Sequence, residues 1–125
     1  MICPPDCQHE TLSHVRQSAA GPLHCTPVTS VYSALLIAGP RSRRVLSKLT
    51  SANVSDDALP NGSSTQASLA QTHAVLLRQD LKMLPAFLIL VSREYGECVW
   101  EAILRAGREF HLAPFGWEAH RRLMA

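Results

Sequence analysis

Residues 31–50 read VYSALLIAGPRSRRVLSKLT, and the period of the apolar residues changes within this stretch. The first part is an apolar run of strand length, which Gly39 and Pro40 bring to an end. Pro40 suits the first turn of a helix, because its missing N–H would have no partner within the helix there. After it, three apolar residues recur at helical spacing: Val45, Leu46 and Leu49. The stretch therefore predicts a strand followed by a helix over residues 40–50, whose basic residues form a solvated face.

The remaining chain adds short strands first and helices afterwards. Ser, Asn, Asp and Gly mark residues 51–64 as a loop. Three strands follow, with a hairpin turn around Gln71 and Thr72: residues 66–70, 73–78 and 87–91. Two helices close the chain, over residues 94–106 and 114–123, and Gly107 is the predicted stop of the first. This order predicts an α+β fold, in which two to three helices pack on one face of an antiparallel or mixed sheet as a ferredoxin-like sandwich.

Composition sets limits on the class of protein. A chain of 125 residues suffices for one domain. With 46% hydrophobic and 18% charged residues, it is neither disordered nor fibrous. A net charge of +2 gives no reason to expect a nucleic acid or an anionic membrane as partner. Apolar runs fall short of the ~20 residues that span a bilayer, and the first residues lack the features of a signal peptide. We therefore expect a cytoplasmic protein without a membrane partner.

The first 26 residues differ from the rest in their pattern. They contain Pro4, Pro5, Gly21 and Pro22 and no sustained hydrophobic period. We therefore predict a poorly ordered leader over residues 1–26 and a folded domain over residues 27–125.

Residues with the right chemistry for a site are few. The leader holds candidate zinc ligands at Cys3, Cys7, His9 and His14, but their spacing matches no common zinc finger, so we expect no metal site. No pattern identifies a catalytic residue. Asp80 follows a predicted strand in a loop, where binding residues often lie, although a turn-forming aspartate is the competing interpretation.

Apolar residues of the predicted strands and helices define an expected core. We expect nine of them to be mostly buried: Leu35, Ile37, Leu46, Leu49, Leu77, Leu88, Leu90, Val99 and Ile103.

Several of these segments resemble a known family. The segments on which the resemblance rests are Thr29–Leu35, Ile37–Arg43, Val45–Thr50, Phe87–Val91, Glu94–Gly96, Val99–Ala102 and Pro114–Gly116. In order and spacing they resemble the aminomethyltransferase family, which includes the glycine cleavage T-protein and the folate-binding parts of sarcosine and dimethylglycine dehydrogenases. The resemblance covers about residues 28–123. The chain also resembles the gamma-like subunits of heterotetrameric sarcosine oxidase.

The resemblance implies a function. Such proteins bind tetrahydrofolate in a central channel and pass a one-carbon unit to it from an amine donor. The chain resembles only the middle-to-late portion of such a molecule, so a truncated or rearranged gene product is expected. The implied partner is a missing domain or an oxidoreductase subunit. A non-catalytic subunit or assembly module is the alternative function.

The chain departs from the family at residues that would carry the chemistry. Family members often carry a motif with two glutamates just before the strand that matches residues 87–91, and aligning the strands without a gap puts Leu84 at the first glutamate and Leu88 at the second. Arg78 matches the arginine that commonly ends the preceding strand, and Asp80 could substitute for the lost carboxylates. We therefore predict Arg78 and Asp80 as substrate-binding residues, in a domain that is weakly active or inactive alone.

Overall fold

The computed structural model describes residues 1–4 and 6–125, so the expectation for Pro5 lies outside the described residues. The chain forms two compact units, residues 1–30 and 31–125. The first unit contains helix α1, Gln8–Ser18, whose residues are all at least partly exposed. Sequence analysis did not predict α1, because its few apolar residues form no stripe. The predicted boundary after residue 26 stays a prediction.

The second unit is built on one sheet of four strands. These are β1 (Tyr32–Ala38), β2 (Ser64–Leu69), β3 (Thr72–Arg78) and β4 (Ala86–Ser92). The strand order is β1-β4-β3-β2, and every neighbouring pair is antiparallel. Ala70 and Gln71, both with positive φ, form the β2–β3 turn, one residue earlier than predicted. The α+β prediction is confirmed.

Three helices belong to this unit: α2 (Ser42–Leu46), α3 (Gly96–Gly107) and α4 (Trp117–Met124). Helix α2 begins at Ser42, so Pro40 lies outside it and not in its first turn as predicted. It ends at Leu46, before the predicted Thr50, and there the N–H groups of Leu49 and Thr50 both donate to the Leu46 carbonyl, at 2.8 and 3.1 Å. That shared acceptor tightens the last turn. Helices α2 and α3 supply apolar residues to the core, so they cover one face of the sheet.

Gly107 is the last residue of α3, where the sequence placed the stop of this helix, but it does not end the helix by adopting a left-handed conformation. The chain continues through a 3-10 turn, Arg108–Phe110, and the left-handed residue that ends it is His111, with φ 57°. Gly107 has an ordinary helical conformation and serves close packing instead. A Cβ added there would lie 2.5 Å from the Leu112 side chain.

The core lies between the helices and one face of the sheet. Four predicted members are buried, Ile37, Leu46, Val99 and Ile103, and Leu35 and Leu49 are half-buried against them. Leu77, Leu88 and Leu90 are half-buried on the opposite face, so their prediction as core residues is wrong. Their strand neighbours form the core instead: Ala74, Leu76, Phe87, Ile89 and Val91. The predicted loop over 51–64 adds two further core residues, Val54 and Leu59.

Candidate functional site

The predicted site residues lie at one end of the sheet, where β3 ends and β4 begins. Arg78 is the last residue of β3, and the segment between the strands folds back on itself through paired hydrogen bonds between Leu81 and Leu84. This return places Asp80 beside the first residue of β4, and its Oδ1 accepts the Ala86 N–H at 3.2 Å. The Asn61 side chain fixes the Asp80 backbone by accepting its N–H at 2.9 Å.

Arg78 and Asp80 form a bidentate ion pair. Arg78 donates from Nε to Asp80 Oδ1 at 3.0 Å and from Nη2 to Asp80 Oδ2 at 2.9 Å. Its remaining terminal nitrogen, Nη1, donates to the Leu59 carbonyl at 3.1 Å. The Arg78 side chain is 9% exposed and that of Asp80 is 18% exposed. The structure therefore brings the two predicted residues together, with the arginine largely enclosed.

A second ion pair adjoins the first. Asp56 contacts Arg78 Nη1 and also accepts two hydrogen bonds from Arg43, at 3.0 and 2.6 Å. We call these four residues, Arg43, Asp56, Arg78 and Asp80, the arginine–aspartate cluster. The charges of its two arginines and two aspartates sum to zero.

Sequence reasoning missed Arg43 and Asp56 as members of this cluster. Arg43 was predicted to lie on a solvated basic face, but it is bound to Asp56 and its side chain is 29% exposed. Asp56 lies in the loop before β2. Only the fold brings these two residues together, and their separation in sequence matches no local pairing pattern.

The cluster keeps its carboxylates ionised. Hydrogen bonds from Arg78 lower the pKa of Asp80, and the Ala86 N–H adds to this effect. Hydrogen bonds from Arg43 and then from Arg78 lower the pKa of Asp56. The hydrogen bonds to Asp80 in turn raise the pKa of Arg78. Neither aspartate is therefore suited to exchange protons near neutral pH.

The geometry limits what the cluster can bind. Arg78 has committed donors at all three of its nitrogens, so it has little capacity left for a ligand anion. A carboxylate oxygen can accept about two hydrogen bonds, and Asp80 Oδ2 receives one, from Arg78. Asp80 could therefore accept one further N–H from a ligand. The predicted substrate-binding roles of Arg78 and Asp80 stay predictions.

The two leucines at the positions where the resemblance implies glutamates lie in different environments. Leu84 is 36% exposed in the return between β3 and β4. Leu88 lies on the outer face of the sheet, paired in register with Leu36 on one side and Leu77 on the other. Neither can supply the charge-assisted hydrogen bonds of a carboxylate. These residues do not fit a tetrahydrofolate that is held by paired carboxylates.

Over residues 1–4 and 6–125, there is no group of three or more His, Cys, Asp or Glu residues that could hold a metal ion. Within the same described ranges, no helix has the length and apolarity needed to cross a membrane.

Comparisons with known proteins identify relatives. Sarcosine oxidase subunit alpha of Rhizobium meliloti (strain 1021) is 31% identical over 93 residues, which cover 73% of this chain and 9% of that protein. Aminomethyltransferase of Acidobacterium capsulatum is 32% identical over 112 residues, covering 86% of this chain and 29% of that protein. The chain thus spans less than a third of each relative. The gamma-like resemblance stays a prediction.

A solved structure supports the fold. Heterotetrameric sarcosine oxidase from Corynebacterium sp. U-96, in complex with pyrrole 2-carboxylate, superposes with a TM-score of 0.68 and 20% identity, over 90% of this chain and 55% of that chain. At this identity the likeness shows the fold alone. The model of the GCVT N-terminal domain matches residues 1–125. The chain therefore belongs to the GCVT N-terminal domain family, whose members include aminomethyltransferases and sarcosine oxidase alpha subunits.

Proposed function

We propose that the chain is a T-protein-like folate-binding domain associated with one-carbon transfer from an amine to tetrahydrofolate. On its own it binds tetrahydrofolate weakly or not at all and does not catalyse the transfer. Membership of the GCVT family and the aminomethyltransferase relative support the assignment to this function class. A cytoplasmic location is part of the proposal and is tested by fractionating cells.

One observation supports the proposal that the isolated chain is inactive. Aminomethyl transfer requires the amine to be held beside the acceptor nitrogen, because orientation supplies much of the rate. Asp80 already holds Arg78 with both of its oxygens. Leu84 and Leu88 stand where the resemblance implies glutamates, so these two positions offer no carboxylate to hold a cationic or N–H-bearing partner, and Asp80 retains acceptor capacity for only one further N–H.

Isothermal titration with tetrahydrofolate, followed by turnover with an aminomethyl donor, tests this proposal. We expect no binding tighter than about millimolar and no turnover. Micromolar binding by the unaltered chain, or turnover that Asp80→Ala abolishes, would show that the site has been rebuilt from other residues.

A variant pair tests the role of the missing carboxylate. Leu84→Glu restores an acid at an exposed position, and Met83→Glu places the same charge on its neighbour, which is 94% exposed. We expect Leu84→Glu to strengthen tetrahydrofolate binding and Met83→Glu to leave it unchanged. Equal effects of the two variants would mean that charge near the turn, and not its position, governs binding.

The outer face of the sheet favours a second candidate function, a non-catalytic assembly module. This outer face consists of neighbouring apolar side chains that the helices leave uncovered: Ala34, Leu36, Val75, Leu77, Leu88 and Leu90. Contiguous apolar surface of this kind marks an interaction site. Its partner would be a missing domain or an oxidoreductase subunit, in keeping with the sarcosine oxidase relatives.

Light scattering after size exclusion separates the two candidates. Without its partner, an assembly module should self-associate through the uncovered outer face, and Leu88→Lys should end this self-association while the chain stays folded by circular dichroism. A monomer in which Leu84→Glu restores tetrahydrofolate binding would contradict the module and support the folate-binding domain.

A further inference from the structure

A cavity of about 440 Å³ lies beside the edge of the sheet, and its described lining includes none of the four residues of the arginine–aspartate cluster. Its walls come from β1, the segment that leads into α2, α3 and residues 110–115. Four residues with aromatic rings line it: Trp100, Phe110, Phe115 and His111. Its volume lies within the range of small-molecule sites, and mostly apolar walls with a few polar groups are typical of such sites.

The charge of the cavity is positive. Arg41 lines it, and among the described residues no carboxylate does so. Arg41 also takes part in none of the ion pairs found within residues 1–4 and 6–125. The Arg44 guanidinium lies 4.8 Å from the centroid of the Phe110 ring, while the nearby acid, Glu109, is already paired with Lys48. This distribution favours an anionic ligand.

The edge of β1 adds peptide donors and acceptors. Val31 and Gly39 direct backbone groups to the β4 side, since Val31 accepts from the Arg93 N–H and Gly39 donates to the Pro85 carbonyl, both at 2.9 Å. Antiparallel strands alternate the direction of these groups. The N–H and C=O groups of Leu36 and Ala38 therefore point away from β4, and both residues line the cavity. Because β1 is the last strand of the order, no strand among the described residues occupies these groups.

We propose that this cavity binds an amide-linked apolar carboxylate, such as an N-acylated apolar amino acid or the last residue of a peptide. The apolar side chain lies among Trp100, Phe110 and Phe115. The carboxylate pairs with Arg41, and the amide adds hydrogen bonds to the edge of β1. Each part of the ligand matches a separate feature of the walls, and neither Arg78 nor Asp80 is among the described residues that line them.

Tryptophan fluorescence tests the proposal directly. Trp117→Phe removes the tryptophan that does not line the cavity and leaves Trp100, which is 39% exposed, as the reporter. We expect a saturable change with N-acetyl-L-phenylalanine or with an acetylated tetrapeptide that ends in phenylalanine. Binding of the tetrapeptide alone would identify a peptide end as the source, and binding of both would identify the small acylated amino acid as sufficient.

Matched ligands and variants make the test decisive. N-acetyl-phenylalaninamide, which lacks the carboxylate, and the variant Arg41→Gln should each weaken binding about tenfold, the size of a lost charge-assisted hydrogen bond. Arg93→Gln, at the opposite end of β1, is the control and should bind as the parent does. 3-Phenylpropionate lacks the amide and should also bind more weakly. No saturable change, equal binding of acid and amide, unaltered binding by Arg41→Gln, or full binding of 3-phenylpropionate would each overturn the proposal.

Discussion

At the scale of single residues, Asp80 holds the arginine–aspartate cluster in place. Its carboxylate is the bidentate partner of the largely enclosed Arg78 guanidinium and also the acceptor for the first N–H of β4. One side chain therefore satisfies a buried cation and fixes the start of a core strand. Because these hydrogen bonds occupy most of its acceptor capacity, Asp80 can bind a substrate only through the remaining acceptor position at Oδ2.

We predict that Asp80 makes the fold acid-labile. Its pKa is lowered in the folded state from the ordinary 3.8. The unfolded chain therefore takes up the proton first, and the stability contributed by Asp80 is fully present above pH 3.8 and is lost as the pH falls through the lower, folded pKa. Asp80→Asn should cost about 1–3 kcal/mol at neutral pH and flatten the pH dependence of urea unfolding below pH 4.

The exposed neighbour of Asp56 provides the control for this measurement. Asp57 lies in the same loop and is exposed, and Asp57→Asn should leave the acid limb of the stability profile as it is. If Asp80→Asn keeps the parent's slope below pH 4, another carboxylate governs acid unfolding.

Gly107 carries the second prediction at this scale. Alanine normally stabilises a helix by about 1 kcal/mol relative to glycine, but at Gly107 the added Cβ would meet the Leu112 side chain at 2.5 Å. We expect Gly107→Ala to lower the free energy of unfolding by about 1–3 kcal/mol through overpacking. Gly116, whose added Cβ would meet nothing within 4 Å, is the control. A Gly107→Ala variant as stable as the parent in thermal melts would show that Leu112 yields without cost.

At the scale of elements, the two faces of the sheet have different energetic roles. Leu76 is completely buried on the helix-covered face, whereas its neighbour Leu77 is half-buried on the outer face. We predict that Leu76→Ala costs about 2–5 kcal/mol and that Leu77→Ala costs about 1 kcal/mol. Urea denaturation of the two variants measures the difference, and equal costs would mean that the outer face is covered as well.

The same two residues show where sequence reasoning ends. Strand β3 carries Val75, Leu76 and Leu77 in succession, and β4 is apolar from Ala86 to Val91. A strand without alternation reveals that it is a strand but not which face is buried. The sequence could therefore predict the order of the elements. Which side chains of β3 and β4 face the core was set by helices that pack on them from elsewhere in the chain.

The candidate site, too, could be predicted only in part from the sequence. Arg78 and Asp80 lie two residues apart at a strand end, so their pairing follows from local geometry. Arg43 and Asp56 come from a helix and a loop that only the fold unites. The edge cavity likewise depends on α3 and the residues after it returning to β1, which no spacing in the sequence indicates.

At the scale of the whole molecule, the free energy of folding is concentrated in one of the two units. Every buried member of the core lies between Ile37 and Ile103, while the residues of α1 are all at least partly exposed. Burial of apolar surface is the dominant favourable term in folding. We therefore propose that residues 27–125 are the folded domain and that the leader contributes little to its stability.

Deletion of residues 1–26 tests that division. We predict that the shortened chain unfolds in one cooperative transition with the parent's urea midpoint, because the deletion removes no core residue. In the full chain, trypsin should cut at Arg16 well before it cuts at Arg78, whose side chain is held by Asp80 and Leu59. A midpoint that falls after deletion would show that the leader stabilises the domain.

Zinc titration tests the expectation that the leader holds no metal site. Binding of one zinc ion per chain, lost when Cys3 and Cys7 are replaced by serine, would show that a metal orders the leader. It would reverse the expectation drawn from the spacing of the candidate ligands.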